Sequence, residues 1–307
     1  LNYYFFKKFK KNYIFYFFIF SPLYLTFSLG IISSPYAEFL IQREVYLINF
    51  FLFFCYIIER SKNRVSIYFT GLVGITIMSF IYELTILTYP FFFTVYYFFL
   101  KKNNFKINLY ETFFAFLLCF AIIFLHFDQY GNNNLSLVIN NLNENFNLNY
   151  SKDDFMFSWI NKGILEQINF YFSDFKISYI FKYIFYSHPI ILLIYFIVKN
   201  VQERIFVCLV CLSTLSFLII FVIAIDWARF VHILYSFVLY IFCLSIDNKN
   251  TFISLSKINF LNRFNIKFLN IFVFFYCSMW TLEHTYWQNH LSYGIFNIIQ
   301  KNLLYLY

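Results

Sequence analysis

Long apolar runs alternate with short polar segments along the whole chain. An α-helix needs about 20 apolar residues to cross a hydrocarbon layer about 30 Å thick, and most of these runs approach that length. The pattern predicts an all-α fold, a polytopic transmembrane helical bundle of about nine spans, with residues 1–307 as a single integral membrane domain. The predicted spans are residues 13–32, 45–58, 65–100 as two helices, 109–125, 183–198, 205–225, 230–246 and 268–282.

Residues 65–100 are predicted to form a helical hairpin rather than one helix. At about 1.5 Å per residue, a single helix of this length would be far longer than a membrane is thick. The one charged residue of the run, Glu83, lies near its middle. We therefore expect two short helices that meet at a tight turn near Tyr82 and Glu83.

The longest polar stretch, residues 126–179, is predicted to be one extended loop on the non-cytoplasmic side. A connection of this length is usually functional rather than structureless. Residues 154–172 place Trp159 and several isoleucines on one face, which predicts an amphipathic helix lying on the membrane surface. The Asn-rich part, residues 132–149, is of low complexity and is expected to be flexible.

Composition supports the membrane prediction. Hydrophobic residues make up 61% of the chain, charged residues make up 12%, and the mean hydropathy is +0.65. A water-soluble protein of this size could not bury so much apolar surface. All six cysteines lie in apolar runs, so no disulfide framework is expected. The net charge of +8 comes from basic residues in short loops between spans, which indicates membrane orientation rather than nucleic-acid binding.

Basic residues follow the predicted spans in alternation. If the first basic cluster, residues 7–11, is cytoplasmic, then 16 of the 23 Lys and Arg residues fall on that side. Cytoplasmic loops of membrane proteins are enriched in these two residue types. The N-terminus is therefore predicted to be cytoplasmic, and Glu83, Asp226 and Arg229 are predicted to share the opposite side.

Glu83 is the first candidate catalytic residue. A carboxylate within an apolar hairpin costs several kcal/mol if it stays ionised in hydrocarbon, so it must face water, a partner or the bundle interior. Two interpretations follow from this cost. Glu83 either serves a function or marks a wet turn at the membrane interface.

Asp226 and Arg229 are the other candidate catalytic residues. Arg229 can present its planar guanidinium to a phosphate or a diphosphate, and no other Lys or Arg is predicted on the non-cytoplasmic side within residues 183–300. The alternative is a local ion pair between Asp226 and Arg229 that orders the turn. In that case Trp227 and Phe230 would anchor the turn at the lipid interface.

Further candidates for substrate binding lie near the same predicted face, namely Arg43, Trp227, His232 and His284. His232 could hydrogen-bond Asp226 or satisfy a polar groove. The histidines show no fixed ligand spacing, so no metal site is predicted. The pair His188-Pro189 predicts a kinked helix.

Two short motifs carry a family resemblance. The first is Ile81-Tyr82-Glu83 with the Phe run 91–93 beyond it, and the second is the turn 226–230, which reads Asp-Trp-Ala-Arg-Phe. These resemble a hairpin carrying His-Glu between Phe-rich runs and a late Asp-aromatic-Gly-Arg-aromatic turn. That pair of features is found in bacterial O-antigen-polymerase-like (Wzy-like) proteins of surface-polysaccharide gene clusters. Tyr82 stands in place of the family's His and Ala228 in place of its Gly, so a role for that histidine does not carry over.

The resemblance implies an enzyme of the bacterial inner membrane that polymerises lipid-diphosphate-linked oligosaccharide repeats on the outer face. It implies undecaprenyl diphosphate as the carrier, with membrane lipid and other polysaccharide-assembly proteins as partners and no nucleic acid. Asp226 or Glu83 would orient or deprotonate the acceptor hydroxyl. Arg229, with Arg43, would stabilise charge on the departing diphosphate, so neither a metal nor a cofactor is expected.

Four other classes stay open. A GT-C-like glycosyltransferase usually carries an acidic pair in its first outer loop, whereas this chain has Glu38 and Glu44 separated by Arg43. An acyltransferase would use His126 with Asp128. A lipid or oligosaccharide transporter predicts charges buried within spans, but nearly all charges lie at span ends. A non-catalytic assembly subunit predicts that the polar outer residues point away from one another.

Overall fold

The computed structural model describes residues 43–82, 84–129, 135–146, 177–223 and 227–246, together with the single residues Phe18, Ser21, Asn149, Ser151, Asn169, Ile271, Phe275 and Tyr276. All regular structure within these residues is helical, which confirms the predicted all-α class for this part of the chain. The helices are α1 (Arg43–Arg60), α2 (Arg64–Ile81), α3 (Thr85–Lys102), α4 (Leu109–Gln129), α5 (Leu135–Phe146), α6 (Ile177–Tyr186), α7 (His188–Asn200), α8 (Arg204–Leu218), α9 (Ile220–Ile223) and α10 (Trp227–Ile246).

Helices α2 and α3 form the predicted hairpin. α2 ends at Ile81, α3 begins at Thr85, and the backbone of Tyr82 between them is extended, with φ −150°. The rings of Tyr68 and Tyr96, equally far before and after Tyr82 in the chain, lie 6.2 Å apart. The two helices are therefore antiparallel, and the turn predicted from the lone charge of the run is confirmed.

Helix α4 packs on both helices of the hairpin and runs parallel to α2. Near its start, Glu111 lies 2.7 Å from Arg64, the first residue of α2. Further along, the Cys119 Sγ lies 3.0 Å from the Ser79 Oγ near the end of α2. The start of α4 therefore lies at the same end of the bundle as the start of α2.

Helix α8 packs antiparallel against α3. The ring of Phe98, near the end of α3, lies 5.8 Å from that of Phe206 near the start of α8. Midway along both helices, the hydroxyls of Thr94 and Ser213 lie 3.0 Å apart in a buried hydrogen bond. The start of α3 and the far end of α8 consequently lie at one end of the bundle.

Helix α10 forms the centre of the core. Its side chains from residue 230 to residue 245 are all buried. Phe237 stacks on Phe51 of α1 with ring centroids 4.0 Å apart and meets Phe91 of α3 edge-on at 5.3 Å. Phe242 lies 6.4 Å from Phe196 of α7. Aromatic rings from α1, α3 and α7 therefore pack around this one helix.

One predicted span is divided near its start. Ser187 separates α6 from α7, and a proline lies in the first turn of α7, which confirms the kink predicted at His188-Pro189. Ile219 lies between α8 and α9, but its backbone keeps helical dihedrals, with φ −57° and ψ −32°. The two helices therefore cover residues 204–223, which is most of the span predicted over residues 205–225.

The predicted outer loop contains a helix that is not among the elements predicted from the sequence. α5 covers most of residues 132–149, so this part is helical where an irregular loop is expected. Ile139 is 5% exposed and packs with Leu142, and apolar residues recur at helical spacing at positions 135, 138, 139 and 142. The many Asn residues of this segment obscured the helical spacing of the apolar residues. The predicted surface helix over 154–172 and the predicted spans 13–32 and 268–282 lie outside the described residues, single positions excepted.

The outward faces of the helices are strongly apolar. On α2, a row of large side chains exposes half or more of its surface, namely Val65, Phe69, Val73, Ile77 and Phe80. Among the described helices, α2 alone is both long and apolar enough to cross a membrane, and shorter apolar stretches occur in α4, α7, α8 and α10. α1 and α3 have the same 18-residue length as α2, but α1 carries charges at both ends and α3 is rich in Tyr.

Candidate functional site

The described helices give the bundle two ends of different chemistry. At one end the helices start or stop at basic residues, and contacts between chain-distant groups hold them together. We call this the basic end and define it by Arg60, Arg64, Lys101, Lys102 and Arg204. The opposite end, called the turn end, contains the start of α1, the α2–α3 turn and the start of α10.

Glu111 is the centre of a hydrogen-bond network at the basic end. It accepts hydrogen bonds from Arg64 at 2.7 Å, from the hydroxyl of Tyr96 at 2.8 Å and from Asn108 at 3.3 Å. These donors come from α2, from α3 and from the segment just before α4. Because donors from three elements occupy this carboxylate, its role is to link helices and not to bind a substrate.

Glu203 makes a second link at the basic end. It lies 3.3 Å from Lys101 and accepts a hydrogen bond from the Tyr97 hydroxyl at 3.1 Å. Lys102 donates to the backbone carbonyl of Glu59 at 3.0 Å. These contacts join the end of α3 to the start of α8 and to the end of α1.

A cavity of about 30 Å³ lies between α1, α2, α3 and α4, with room for about two water molecules. Its walls are mostly aromatic and aliphatic, and Tyr68, Tyr96 and Glu111 provide polar groups toward the basic end. The cavity is too small for a sugar or a diphosphate. It is also not at the turn end, where the sequence predicts the site.

Glu44 and Tyr82 form a buried contact at the turn end. The Tyr82 hydroxyl donates to Glu44 Oε1 at 3.0 Å, and the two residues are 6% and 4% exposed. The Thr85 hydroxyl in turn donates to the Tyr82 carbonyl at 2.7 Å. The start of α1 is thereby tied to the turn between α2 and α3.

Trp227 and Phe230 pack into the bundle at the start of α10. The Trp227 ring is 8% exposed and lies 5.1 Å from the Tyr183 ring of α6 and 5.7 Å from the Phe221 ring of α9. Phe230 is 5% exposed and lies 6.3 Å from the same Phe221 ring. Both side chains face inward, contrary to the alternative prediction that they anchor the turn in lipid.

The structure places only some of the predicted site residues. Arg43 is the first residue of α1, Arg229 lies in the first turn of α10, and His232, one turn further on, is 6% exposed. The remaining predicted site residues lie outside the described part of the chain, namely Glu83, Asp226 and His284. The helices that flank Glu83 and Asp226 in the chain reach the same end of the bundle, because α3 and α8 are antiparallel.

No family model, no curated protein and no solved structure matches the chain. The resemblance to O-antigen-polymerase-like proteins therefore rests on the two motifs alone, within residues 81–93 and 226–230. Within the described ranges, no three His, Cys, Asp or Glu side chains come close enough together to share a metal ion.

Glu44 lies at the turn end but is not among the candidate site residues predicted from the sequence. It is named there only with Glu38, as the acidic pair that a GT-C-like enzyme would need. A signal was present in the sequence, since inward-facing residues recur at spacings of three and four along α1. They are Glu44, Leu47, Phe51, Cys55 and Ile58, none of which is more than 6% exposed.

Proposed function

We propose that the chain is an integral membrane protein of about nine spans, with its basic end in the cytoplasm and its turn end on the outer face of a bacterial inner membrane. The apolar outer faces of the helices support this, because soluble monomers rarely expose such large apolar patches. The grouping of Lys and Arg at one end supports the orientation, because these residues are retained on the cytoplasmic side.

At the turn end we propose a site that transfers glycosyl groups and polymerises oligosaccharide repeats linked to undecaprenyl diphosphate. The observation that carries this proposal is the buried Glu44–Tyr82 hydrogen bond. It ties the segment that carries Arg43 to the turn that carries Glu83. The start of α10, which carries Arg229, reaches the same end of the bundle.

The proposed reaction needs a proton acceptor and a cation. Glu83 or Asp226 takes the proton of the acceptor hydroxyl while its oxygen forms a bond to the anomeric carbon of the donor sugar. The bond from that carbon to the diphosphate breaks, and the lipid diphosphate leaves with the bonding electron pair. Arg229 and Arg43 stabilise the negative charge of the leaving group. The apolar outer faces of the helices accommodate the prenyl tail.

The test uses cells that make undecaprenyl-diphosphate-linked repeats but lack a polymerase of their own. The full chain is expressed in them, and the chain length of the polysaccharide is read on gels. We expect Glu83→Gln and Arg229→Ala to reduce the product to single repeats at unchanged membrane levels of the protein. A GT-C-like enzyme would instead add one sugar, and a transporter would leave chain length independent of both residues.

Two substitutions serve as controls for that experiment. Glu144→Gln removes an exposed carboxylate from α5, and Lys106→Ala removes an exposed charge from the segment between α3 and α4. Both are expected to leave the chain length unchanged. If Glu83→Gln and Arg229→Ala behave like these controls, the proposed function is wrong.

A further inference from the structure

Pro189 removes a backbone hydrogen bond at the break between α6 and α7. In a continuous helix, the carbonyl of Phe185 accepts a hydrogen bond from the N–H of the residue four positions later. That residue is Pro189, which has no N–H. Phe185 is 54% exposed on the outer face of α6, which lies in lipid in the proposed membrane placement. In lipid no water is present to replace the lost donor, so the protein itself must supply one.

The side chain of His188 supplies this donor. Its Nδ1 atom lies 2.5 Å from the carbonyl oxygen of Phe185. A carbonyl oxygen only accepts hydrogen bonds, so Nδ1 carries a proton. The second ring nitrogen, Nε2, lies 2.6 Å from the hydroxyl of Tyr276. Because a charged imidazolium is costly within a membrane bundle, the ring is neutral, and Nε2 accepts the hydrogen bond that Tyr276 donates.

Aromatic contacts hold the imidazole in this orientation. The Tyr276 ring meets it edge-on with centroids 5.4 Å apart, and the centroid of the Phe185 ring also lies 5.4 Å from it. Tyr276 belongs to the predicted span 268–282 and lies 88 residues further along the chain. His188 therefore has both ring nitrogens engaged, and it connects the break to a distant segment.

The break also affects how α6 meets the start of α10. Tyr183, one turn before Ser187, is 4% exposed, and its ring meets the Trp227 ring edge-on at 5.1 Å. Trp227 is the first residue of α10 and lies two residues before Arg229. Since the rings of Tyr183 and Trp227 pack together in the core, the tilt of α6 relative to α7 constrains the backbone beside Arg229.

We infer that His188 is a positioning residue for the reaction proposed at the turn end. Its Nδ1–H takes the place of the N–H that Pro189 lacks, and so it fixes the angle between α6 and α7. That angle holds Tyr183 against Trp227, beside Arg229. This step rests on the proposed function. His188 acts through the backbone and does not itself contact the substrate.

A double-mutant cycle tests the replacement of the missing donor. His188→Phe keeps a ring in place but removes both nitrogen atoms, and Pro189→Ala restores a backbone N–H. Every protein in the cycle carries Tyr276→Phe, so that the contact at Nε2 contributes to none of the differences, and all are reconstituted in lipid nanodiscs.

We expect His188→Phe to lower the melting temperature in this cycle by about 2 to 4 °C. With Pro189→Ala present, the loss should fall to about half or less, because the restored N–H bonds to the Phe185 carbonyl. An equal loss in both backgrounds would overturn the inference.

Two further substitutions separate the roles of the two ring nitrogens. Asn places its amide nitrogen as far along the side chain as Nδ1 of His, whereas Gln places its amide group nearer to the position of Nε2. In the same Tyr276→Phe background, we expect His188→Asn to keep most of the melting temperature and His188→Gln to lose as much as His188→Phe. The reverse order would contradict the assignment of the donor to Nδ1.

The positioning role is tested by polysaccharide chain length, measured per amount of folded protein. We expect His188→Phe to shorten the product by about tenfold or more, because a small misplacement of reacting groups is costly. His188→Asn, which keeps the donor, should restore most of the length. Glu111→Gln, which weakens the bundle at the basic end, controls for lost stability alone and should leave the length unchanged.

The outcomes distinguish the two levels of the proposal. If His188→Phe behaves like Glu111→Gln in the chain-length assay, the positioning role is wrong. If the parent chain makes no polymer while the double-mutant cycle shows the expected coupling, the proposed function fails and the role of His188 at the break stands.

Discussion

At the scale of single residues, Gly74 determines how closely α1 and α2 can pack. A Cβ atom at this position would lie 1.6 Å from the Cζ of Phe50, a distance that no pair of non-bonded atoms tolerates. Gly71, one turn earlier on the same helix, is less crowded, since its Cβ would lie 3.0 Å from the ring of Phe54. Small residues serve this purpose between membrane helices, where close backbone approach drives packing.

We therefore predict that Gly74→Ala destabilises the protein by about 1 to 3 kcal/mol, the usual cost of overpacking. Gly71→Ala is the matched control and should cost less, because the Phe54 ring needs to move only slightly. The measurement is the free energy of unfolding in detergent. Phe50→Leu in the Gly74→Ala background should recover part of the loss, and equal effects at the two glycines would contradict this account.

At the scale of helices, Glu111 holds three elements together at the basic end. It accepts hydrogen bonds from donors in α2, in α3 and just before α4, and about a quarter of its side chain and of the Arg64 side chain is exposed to solvent. Partial exposure weakens such a pair, because water screens the charges.

We predict that Glu111→Gln lowers the free energy of unfolding by about 1 kcal/mol and that this loss shrinks as salt is added. Glu144→Gln, at an exposed position of α5, should change it by less than about 0.5 kcal/mol. Thermal unfolding of both variants at two ionic strengths is the measurement. A loss for Glu111→Gln that matches the control would show that the network does not stabilise the bundle.

Local signals predicted some elements well and missed others. The α2–α3 turn was predicted from a lone charge in an apolar run, and the break at Ser187 was predicted from Pro189. Each prediction succeeded because the residue itself disfavours a continuous apolar helix at that position. The helix α5 was missed because Asn is frequent in loops, although its apolar residues recur at helical spacing.

At the scale of the whole molecule, the proposed orientation makes a direct prediction. Single cysteines are introduced at Lys106, in the segment between α3 and α4, and at Glu144 of α5, both of which are exposed. A membrane-impermeant maleimide should label position 144 in intact cells and position 106 only after permeabilisation. The proposed topology requires α4, which is 21 residues long and about 31 Å from end to end, to separate the two positions. Labelling of both from the same side would rule out the proposed topology.

Hydropathy and the positions of Lys and Arg were enough to locate most of the helices and to predict their alternating directions. Each of these properties depends only on whether a segment of the chain lies in an apolar or an aqueous environment. They could not show that α10 is the central helix. Many large apolar side chains are also exposed on the outer faces of the bundle, so hydropathy does not distinguish a buried helix from an outer one. Nor could they pair Glu44 with Tyr82, which lie 38 residues apart in the chain. That contact arises from packing between distant segments, and no local pattern of residues encodes it.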